Sequence, residues 1–491
     1  MTLNGLFCGR RRKVALALVL LAAPLVLAGC GHNTPVEPSG GGPPTGVAQV
    51  WLTTADQSHL LSQQPDVQIR SGADGSSVVI DVDEGTTYQE MIGFGAAMTD
   101  ASAYLIQHKL GAQRDAILRE LFGRNPGIGL SFMRVPMGAS DFSTHDYSYD
   151  DMPAGQTDSA LAHFSIDADR ADKLPALKAA LAINPQLKLV GSPWSPPGWM
   201  KTTGSLIKGT LRPEFYDSFA QYFRKFIEGY TAEGVPIFAV TMQNEPAYEP
   251  ADYPGMRLDP PVRAEVIGKH VGPLFEATGI PSLILDWDHN WDVPSSPLAV
   301  LADSAARKYV NAVAWHCYAG DVSVQDNVHA AYPTKDAYFT ECSGGDWATV
   351  FADNLKFFVG TLIIGSTRGW AKGVALWNLA LDQSDGPHLG GCGNCRGVIT
   401  INSGTGAVTR NVEYYALAHA SQFVRSGAHR IASSNNVNGL QTVAFKNADD
   451  GSKVLIVLNT AATEVSFGVH SGGKTILYAM PAGAVVTLRW T

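Results

Sequence analysis

Between roughly residues 88 and 425, eight short apolar runs alternate with stretches of helical character, and no hairpin signal joins one run to the next. Strands that never pair through a tight turn run parallel, and a parallel sheet needs helices to cover it. The runs are Met91–Phe94, Leu130–Val135, Leu187–Val190, Ile237–Met242, Ser282–Leu285, Ala312–Trp315, Ala337–Thr340 and Val374–Trp377. Eight strand–helix units predict closure into a (β/α)8 barrel over residues 88–425. The clearest helix is expected over Pro213–Glu233, where Phe215, Phe219, Tyr222, Phe223, Phe226 and Tyr230 share one face at helical spacing. That stripe reads as packing against the barrel, not as a binding surface.

The flanks have another period. Residues 426–491 alternate apolar and polar between Gly and Asn/Asp turns, in Thr442–Phe445, Lys453–Leu458, Val465–Val469, Thr475–Tyr478 and Ala484–Leu488. Alternation of this kind predicts an antiparallel sandwich. Val50–Thr53 and Ser77–Val82, within residues 47–87, complete it. The expected fold is therefore an α/β TIM barrel with a β-sandwich side domain built from both termini.

The first residues belong to targeting. Arg10, Arg11, Arg12 and Lys13 precede the apolar run Val14–Ala28, the order of a secretory signal peptide, assigned to residues 1–29. A membrane span needs about 20 apolar residues, and this run is shorter. Leu27-Ala28-Gly29-Cys30 resembles a bacterial lipobox, in which Cys30 is lipidated and becomes the mature N-terminus; an ordinary signal peptide that happens to contain Cys30 is the alternative. The expected location is an outer-surface or periplasmic lipoprotein, or otherwise secretion. Residues 30–46, rich in Gly and Pro, read as a flexible tether. The formal net charge is −9, and the leader carries four basic residues and no acid, so the remainder is more acidic still. Such a balance argues against nucleic acid and fits a neutral substrate. Cys392-Gly-Asn-Cys395 is either half of a zinc site or a local disulfide; no second such pair exists, and export favours the disulfide. Cys317 and Cys342 fall near the ends of adjacent strands, where a bridge and two small core residues are both open readings. No HExxH or paired-His motif is present, so neither a metal nor a cofactor is expected.

Polar and aromatic residues gather where these strands end, the end at which barrels of this kind build active sites. The run from Val235 ends in Asn244, Glu245 and Pro246, and Asp336–Thr340 ends in Glu341. Arg134 and Asp141 follow the second strand, Trp194 the third, His316 and Tyr318 the sixth, Trp377 and Asn378 the eighth. Two carboxylates at one barrel mouth are what glycoside hydrolysis requires, one protonated to assist the leaving oxygen and one ionised to attack the anomeric carbon. The aromatic rings suit the C–H face of a sugar, and the amides its hydroxyls. Arg134 and Tyr318, on reaching Glu341, would keep it anionic as nucleophile; Glu245 would be the acid/base, raised once Glu341 is charged and the site is filled. The plainer readings are a loop salt bridge for either glutamate, a satisfied structural role for His316, a loop turn for Asp141 and capping for Asp286 and Asp288.

Gly93–Asp100 (GFGAAMTD), Arg134–Met137, Asp141–Ser143, Ser192–Lys201 (SPWSPPGWMK), Thr241–Pro246 (TMQNEP) and Trp377–Leu381 together resemble glycoside hydrolase family 30, the group of glucosylceramidases and endo-β-1,6-glucanases in clan A. The resemblance spans roughly residues 48–491. It implies retention of configuration, with Glu245 as acid/base and Glu341 as nucleophile. It implies that Asp141, Trp194, Asn244, Tyr318 and Trp377 bind the glucosyl unit; their places at strand ends put Arg134, His316 and Asn378 at the sugar as well. Two features depart from the lysosomal glucosylceramidases: His316-Cys317-Tyr318 stands where they have His-Trp-Tyr, and the loop Asp382–Arg396 differs, resembling members that cut β-1,6-glucan. The expected substrates are β-1,6-glucan or glucosylceramide. A related enzyme taking xylose or fucose, and a carbohydrate-binding protein with an inert barrel, are the alternatives.

Overall fold

The computed structural model describes residues 42–73 and 75–491. The signal peptide, Cys30 and residues 30–41 of the tether lie outside them. Eight parallel strands form a closed barrel: β1 (Gly93–Ala97), β2 (Phe132–Met137), β3 (Lys188–Pro193), β4 (Ala239–Thr241), β5 (Leu283–Asn290), β6 (Val310–His316), β7 (Asp336–Glu341) and β8 (Ala371–Asn378). Each overlaps one of the eight apolar runs. The ring closes where β8 pairs with β1.

Small residues make this closure possible. Ala239, Ala312, Ala314 and Ala375 line the interior, and Phe132 and Tyr338 stack at 5.6 Å to fill what they leave. A Cβ on Gly373 would stand 2.9 Å from the Phe132 ring, so glycine there makes room for the ring. Outside the barrel, the helix Tyr216–Ala232 follows a single turn at Pro213–Phe215. Phe219, Tyr222, Phe223, Phe226 and Tyr230 are all fully buried, so the aromatic stripe is core.

A second closed sheet of nine strands stands beside the barrel, from Pro44–Thr53, Ser62–Ser71 and Val79–Glu90 at the N-terminal end and six strands between His429 and Trp490. Its pairing is antiparallel except where Val79–Asp81 runs parallel to Gly468–His470. Two details depart from the sequence reading. Ser62–Ser71 is a strand, though its polar, half-exposed side chains give no apolar alternation to read. The chain also enters the sheet at Pro44, inside the expected tether, with Pro44 opposite Arg70 and Gly46 opposite Ile69; proline is tolerated at a strand start.

Candidate active site

Glu341 is the last residue of β7, and Glu245 lies four residues beyond the end of β4. A single arginine organises the space between them. Arg134, on β2 and fully buried, donates to Glu341 Oε2 at 2.6 Å, to Asn244 Oδ1 at 2.7 Å and to Asp288 Oδ2 at 2.7 Å. Tyr318 donates its hydroxyl to the other oxygen of Glu341 at 2.9 Å. A disulfide joins Cys317 to Cys342, the residues immediately before Tyr318 and after Glu341, so the bridge ties together the two backbones that carry this hydrogen bond.

Asp288 is the hub beneath the mouth. Its Oδ2 also accepts from Ser192 and Thr241, at 2.7 Å each, and its Oδ1 from Thr340 at 2.7 Å and His316 Nε2 at 3.0 Å. Burial would raise this carboxyl, but Arg134 and His316 hold it well below the usual range. Backbone irregularity aims it there. Trp287 and His289 pair with Ala314 and Trp315, leaving Asp288 as an extra residue in β5, a bulge that redirects a side chain. Trp287, Asp288 and Glu245 have φ of 77°, 55° and 45°, a left-handed conformation that non-glycine residues hold only when surroundings impose it.

His316 is wedged among three carboxylates. Its Nε2 faces Asp288 and its Nδ1 lies 3.2 Å from Glu245 Oε1 and 3.9 Å from Glu341 Oε1. With an acceptor at each nitrogen the ring donates twice, as an imidazolium. Burial alone would lower it, yet the charge of Glu341 and the hydrogen bonds to Asp288 and Glu245 push it up to about 9. His289, 3.5 Å from Glu245 Oε1, is instead lowered by burial and is neutral. Glu245 is held below the usual glutamate value: burial opposes this, and the hydrogen bond and charge of His316 outweigh it. Glu341 is raised by burial and by Glu245 and Asp288, against His316 and Arg134; both its oxygens accept hydrogen bonds, so the site is built around its ionised form. Glu245, His289 and His316 place ligand atoms within 4.8 Å of one another, but a metal takes neutral imidazole, and the charge on His316 sets this group up for protons.

Above this floor a cavity of about 500 Å³ is lined by Asp141, Trp194, Asn244, Glu245, Tyr318, Glu341 and Trp377, among others. Trp194 and Trp377 stack at 5.0 Å, with the Arg134 guanidinium 4.7 Å and 5.4 Å from their centroids. Asp141 is 8% exposed, and its Oδ1 has no hydrogen-bond partner. Burial and the charges of Glu341 and Glu245 raise it well above the usual range. Gly391, at φ +69°, lets the backbone of the 382–396 loop press against it: a Cβ there would be 2.8 Å from that of Asp141. Cys392 and Cys395 are bridged within this loop and line the same cavity.

Three residues expected at the sugar lie beneath the cavity instead. Arg134 and His316 are fully buried, Arg134 donating to carboxylates, the Asn244 amide and the Ser192 hydroxyl, and His316 facing carboxylates. Asn378 is 1% exposed and accepts from Thr99 at 2.8 Å; the Leu376/Asn378 register shift in β8 turns it away from the mouth. Asp286 does not cap a helix but pairs with Arg263 at 2.8 Å in the core. The rim holds residues that no strand tip advertises: Tyr248, Asp252 and Tyr253 from the loop after β4, and Trp347 from the loop after β7. Trp347 is 56% exposed and Tyr248 50%. A Trp in the loop beyond a strand that ends in glutamate is the available signal.

Comparison with known proteins agrees with this geometry. The glycosyl hydrolase family 30 TIM-barrel domain matches residues 91–424, and the family 30 β-sandwich domain matches residues 427–488. The chain is 35% identical to an endo-1,6-β-D-glucanase of Neurospora crassa, over 86% of this chain and 90% of that protein. It is 28% identical to the lysosomal acid glucosylceramidase of Mus musculus, over 86% of this chain and 85% of that one. A solved structure of an endo-β-1,6-glucanase superposes with a TM-score of 0.82 at 31% identity, covering 91% of this chain and all of the other. No helix among the described residues is long and apolar enough to cross a membrane. With a barrel, a β-sandwich and a mouth holding two facing glutamates, the chain belongs to glycosyl hydrolase family 30 and is a retaining O-glycosyl hydrolase.

Proposed function

We propose that this enzyme is an endo-β-1,6-glucanase in which Glu341 is the nucleophile and Glu245 the acid/base. The observation that carries the roles is the pair of donors on Glu341. A carboxylate fixed by Arg134 and Tyr318 presents an ionised oxygen to the anomeric carbon, whereas Glu245 faces a proton-bearing imidazolium. In the first step Glu245, supplied along its 3.2 Å contact with His316 Nδ1, protonates the leaving oxygen while Glu341 attacks. Esterification removes the charge on Glu341, which lowers Glu245 further and makes it the base that activates water in the second step. Asp141, Asn244 and the Trp194–Trp377 stack hold the glucosyl unit.

The substrate assignment rests on the rim. Asp346 N donates to Asn394 O at 3.0 Å, which fastens the Trp347 loop to the Cys392–Cys395 loop and sets exposed rings beside the cavity. Flat aromatic faces with acids among them suit further sugar units better than acyl chains. The curated endo-1,6-β-D-glucanases of fungi support the same reading. We read the protein as exported, lipidated at Cys30 and tethered by the residues that follow, a reading that the two disulfides support; mass spectrometry of the mature N-terminus tests it.

Hydrolysis of pustulan, glucosylceramide and an aryl β-glucoside by wild type and Glu341→Ala tests the substrate. Oligosaccharides from pustulan, lost in the variant by more than about 10⁴-fold, are expected. Glucose released only from the lipid or the aryl glucoside would shift the assignment to an exo-acting glucosylceramidase-like enzyme. Turnover insensitive to the mutation would overturn the role of Glu341.

A further inference from the structure

Two buried carboxylates in the loop after β2 face each other without a lysine or arginine to neutralise them. Asp150 is 2% exposed and Asp158 8%, and among the described residues their one ion-pair partner is His163, with Nδ1 2.9 Å from Asp158 Oδ2. Both carboxylate oxygens of Asp150 are buried with no hydrogen-bond partner. A carboxylate stripped of water and left unpaired is costly, so such a group calls for a ligand. Asp150, Asp158 and His163 bring one ligand atom each to within 4.8 Å of one another. We propose that Asp150, Asp158 and His163 form a binding site for a divalent cation of the zinc type.

The donor set decides the class. Two carboxylates and one imidazole suit zinc and its neighbours better than calcium or magnesium, which favour oxygen alone. Three protein ligands leave a fourth position for water. The frame is rigid before any ion arrives. Tyr149 stacks on Tyr222 and Phe226, and Trp199 donates to the carbonyl of Asp150 at 2.9 Å. Ser218 and Lys225 hold the carbonyls of Ser159 and Leu161, at 2.9 Å each, and Asp158 Oδ2 accepts the backbone N–H of His163 at 2.8 Å. Repulsion fits the same picture: burial and the charge of Asp158 push Asp150 up to about 6. An ion here would staple the 150–163 loop, whose residues Asp151–Thr157 wall a cleft of about 610 Å³ against Gly198–Leu206.

Isothermal titration of the chelator-treated enzyme with Zn²⁺ tests this, alongside thermal unfolding with and without the ion. One equivalent bound by wild type is expected, with a rise in Tm on binding. His163→Ala, at an exposed position, is expected to weaken binding by roughly tenfold or more and to remove the Tm response. Asp150→Asn is expected to abolish binding where it folds. His289→Ala is expected to leave binding intact, which separates this site from the catalytic group. No binding by wild type would overturn the proposal in favour of a proton shared by the two aspartates. Binding that His163→Ala leaves unchanged would overturn it equally.

Discussion

Two histidines in this enzyme are fully buried and opposite in character. His316, at the barrel mouth, is raised to about 9; His419, where the helix Val412–Ser421 meets the nine-stranded sheet, is lowered by burial to about 3. Depth is the same, so neighbours make the difference. His316 has a carboxylate at each nitrogen, whereas His419 has hydroxyls, Thr487 at 2.9 Å and Thr53 at 2.8 Å. A hydroxyl can donate or accept, so it satisfies a neutral ring without stabilising a charge. The mouth uses burial to make charges interact strongly; the seam uses it to exclude them.

The contrast breaks most completely at His316. His316→Gln keeps a polar side chain but removes the proton that Glu245, as the proposed acid/base, would draw on. We expect kcat on β-1,6-glucan to fall by about 10²–10⁴-fold, the usual contribution of acid catalysis. An aryl glucoside with an acidic phenol needs little protonation on departure and is expected to lose far less. Equal losses on both would sink the proton-supply role, leaving His316 as a support for Asp288.

The barrel itself is legible in the sequence because each strand is short, apolar and ended by a polar group. Glu245 and Glu341 stand out for the same reason: they interrupt runs that are otherwise continuous core. What escapes is everything set by irregular backbone. Asp288 ends a strand, with capping as its plainer reading, until the β5 bulge turns it inward, and Asn378 looks like a ligand until it is found bonded to Thr99. Arg134 and His316 belong to the site but lie under it, a distinction that strand-end position cannot make. The lowering of Glu245 escapes too, since the His316 contact behind it joins residues from two different strands. His419 gives no signal at all, because its partners Thr53 and Thr487 come from opposite ends of the chain.

Sharpening the mouth side further, the Cys317–Cys342 bridge holds Tyr318 over Glu341. The double variant Cys317→Ser, Cys342→Ser is expected to lower kcat roughly tenfold, by analogy with loss of other supporting contacts, with KM changed less. Reduction of the wild-type enzyme should reproduce the loss under native conditions. An unchanged kcat in the double variant would mean that the strand ends hold Tyr318 without the bridge.

The smallest effect on activity is expected at the seam, and the largest contrast there is in pH. A raised histidine contributes stability that is full below its unfolded pKa, about 6.5, and is lost as pH rises through about 9, so His316 destabilises the fold on the alkaline side. A lowered histidine contributes stability that is present above about 6.5 and is lost as pH falls through about 3, so His419 destabilises it on the acid side. Each pKa unit is worth about 1.36 kcal/mol, so the acid limb from His419 is on the order of 5 kcal/mol. His419→Gln keeps a donor and an acceptor for the two threonines but cannot take up a proton. Urea unfolding of this variant from pH 6.5 to pH 3 should show a flatter decline than wild type, while kcat stays within about twofold because no seam residue touches the mouth. An acid limb as steep as that of wild type would show that the carboxylates of the mouth, and not the buried ring between barrel and sheet, set the acid limit of this fold.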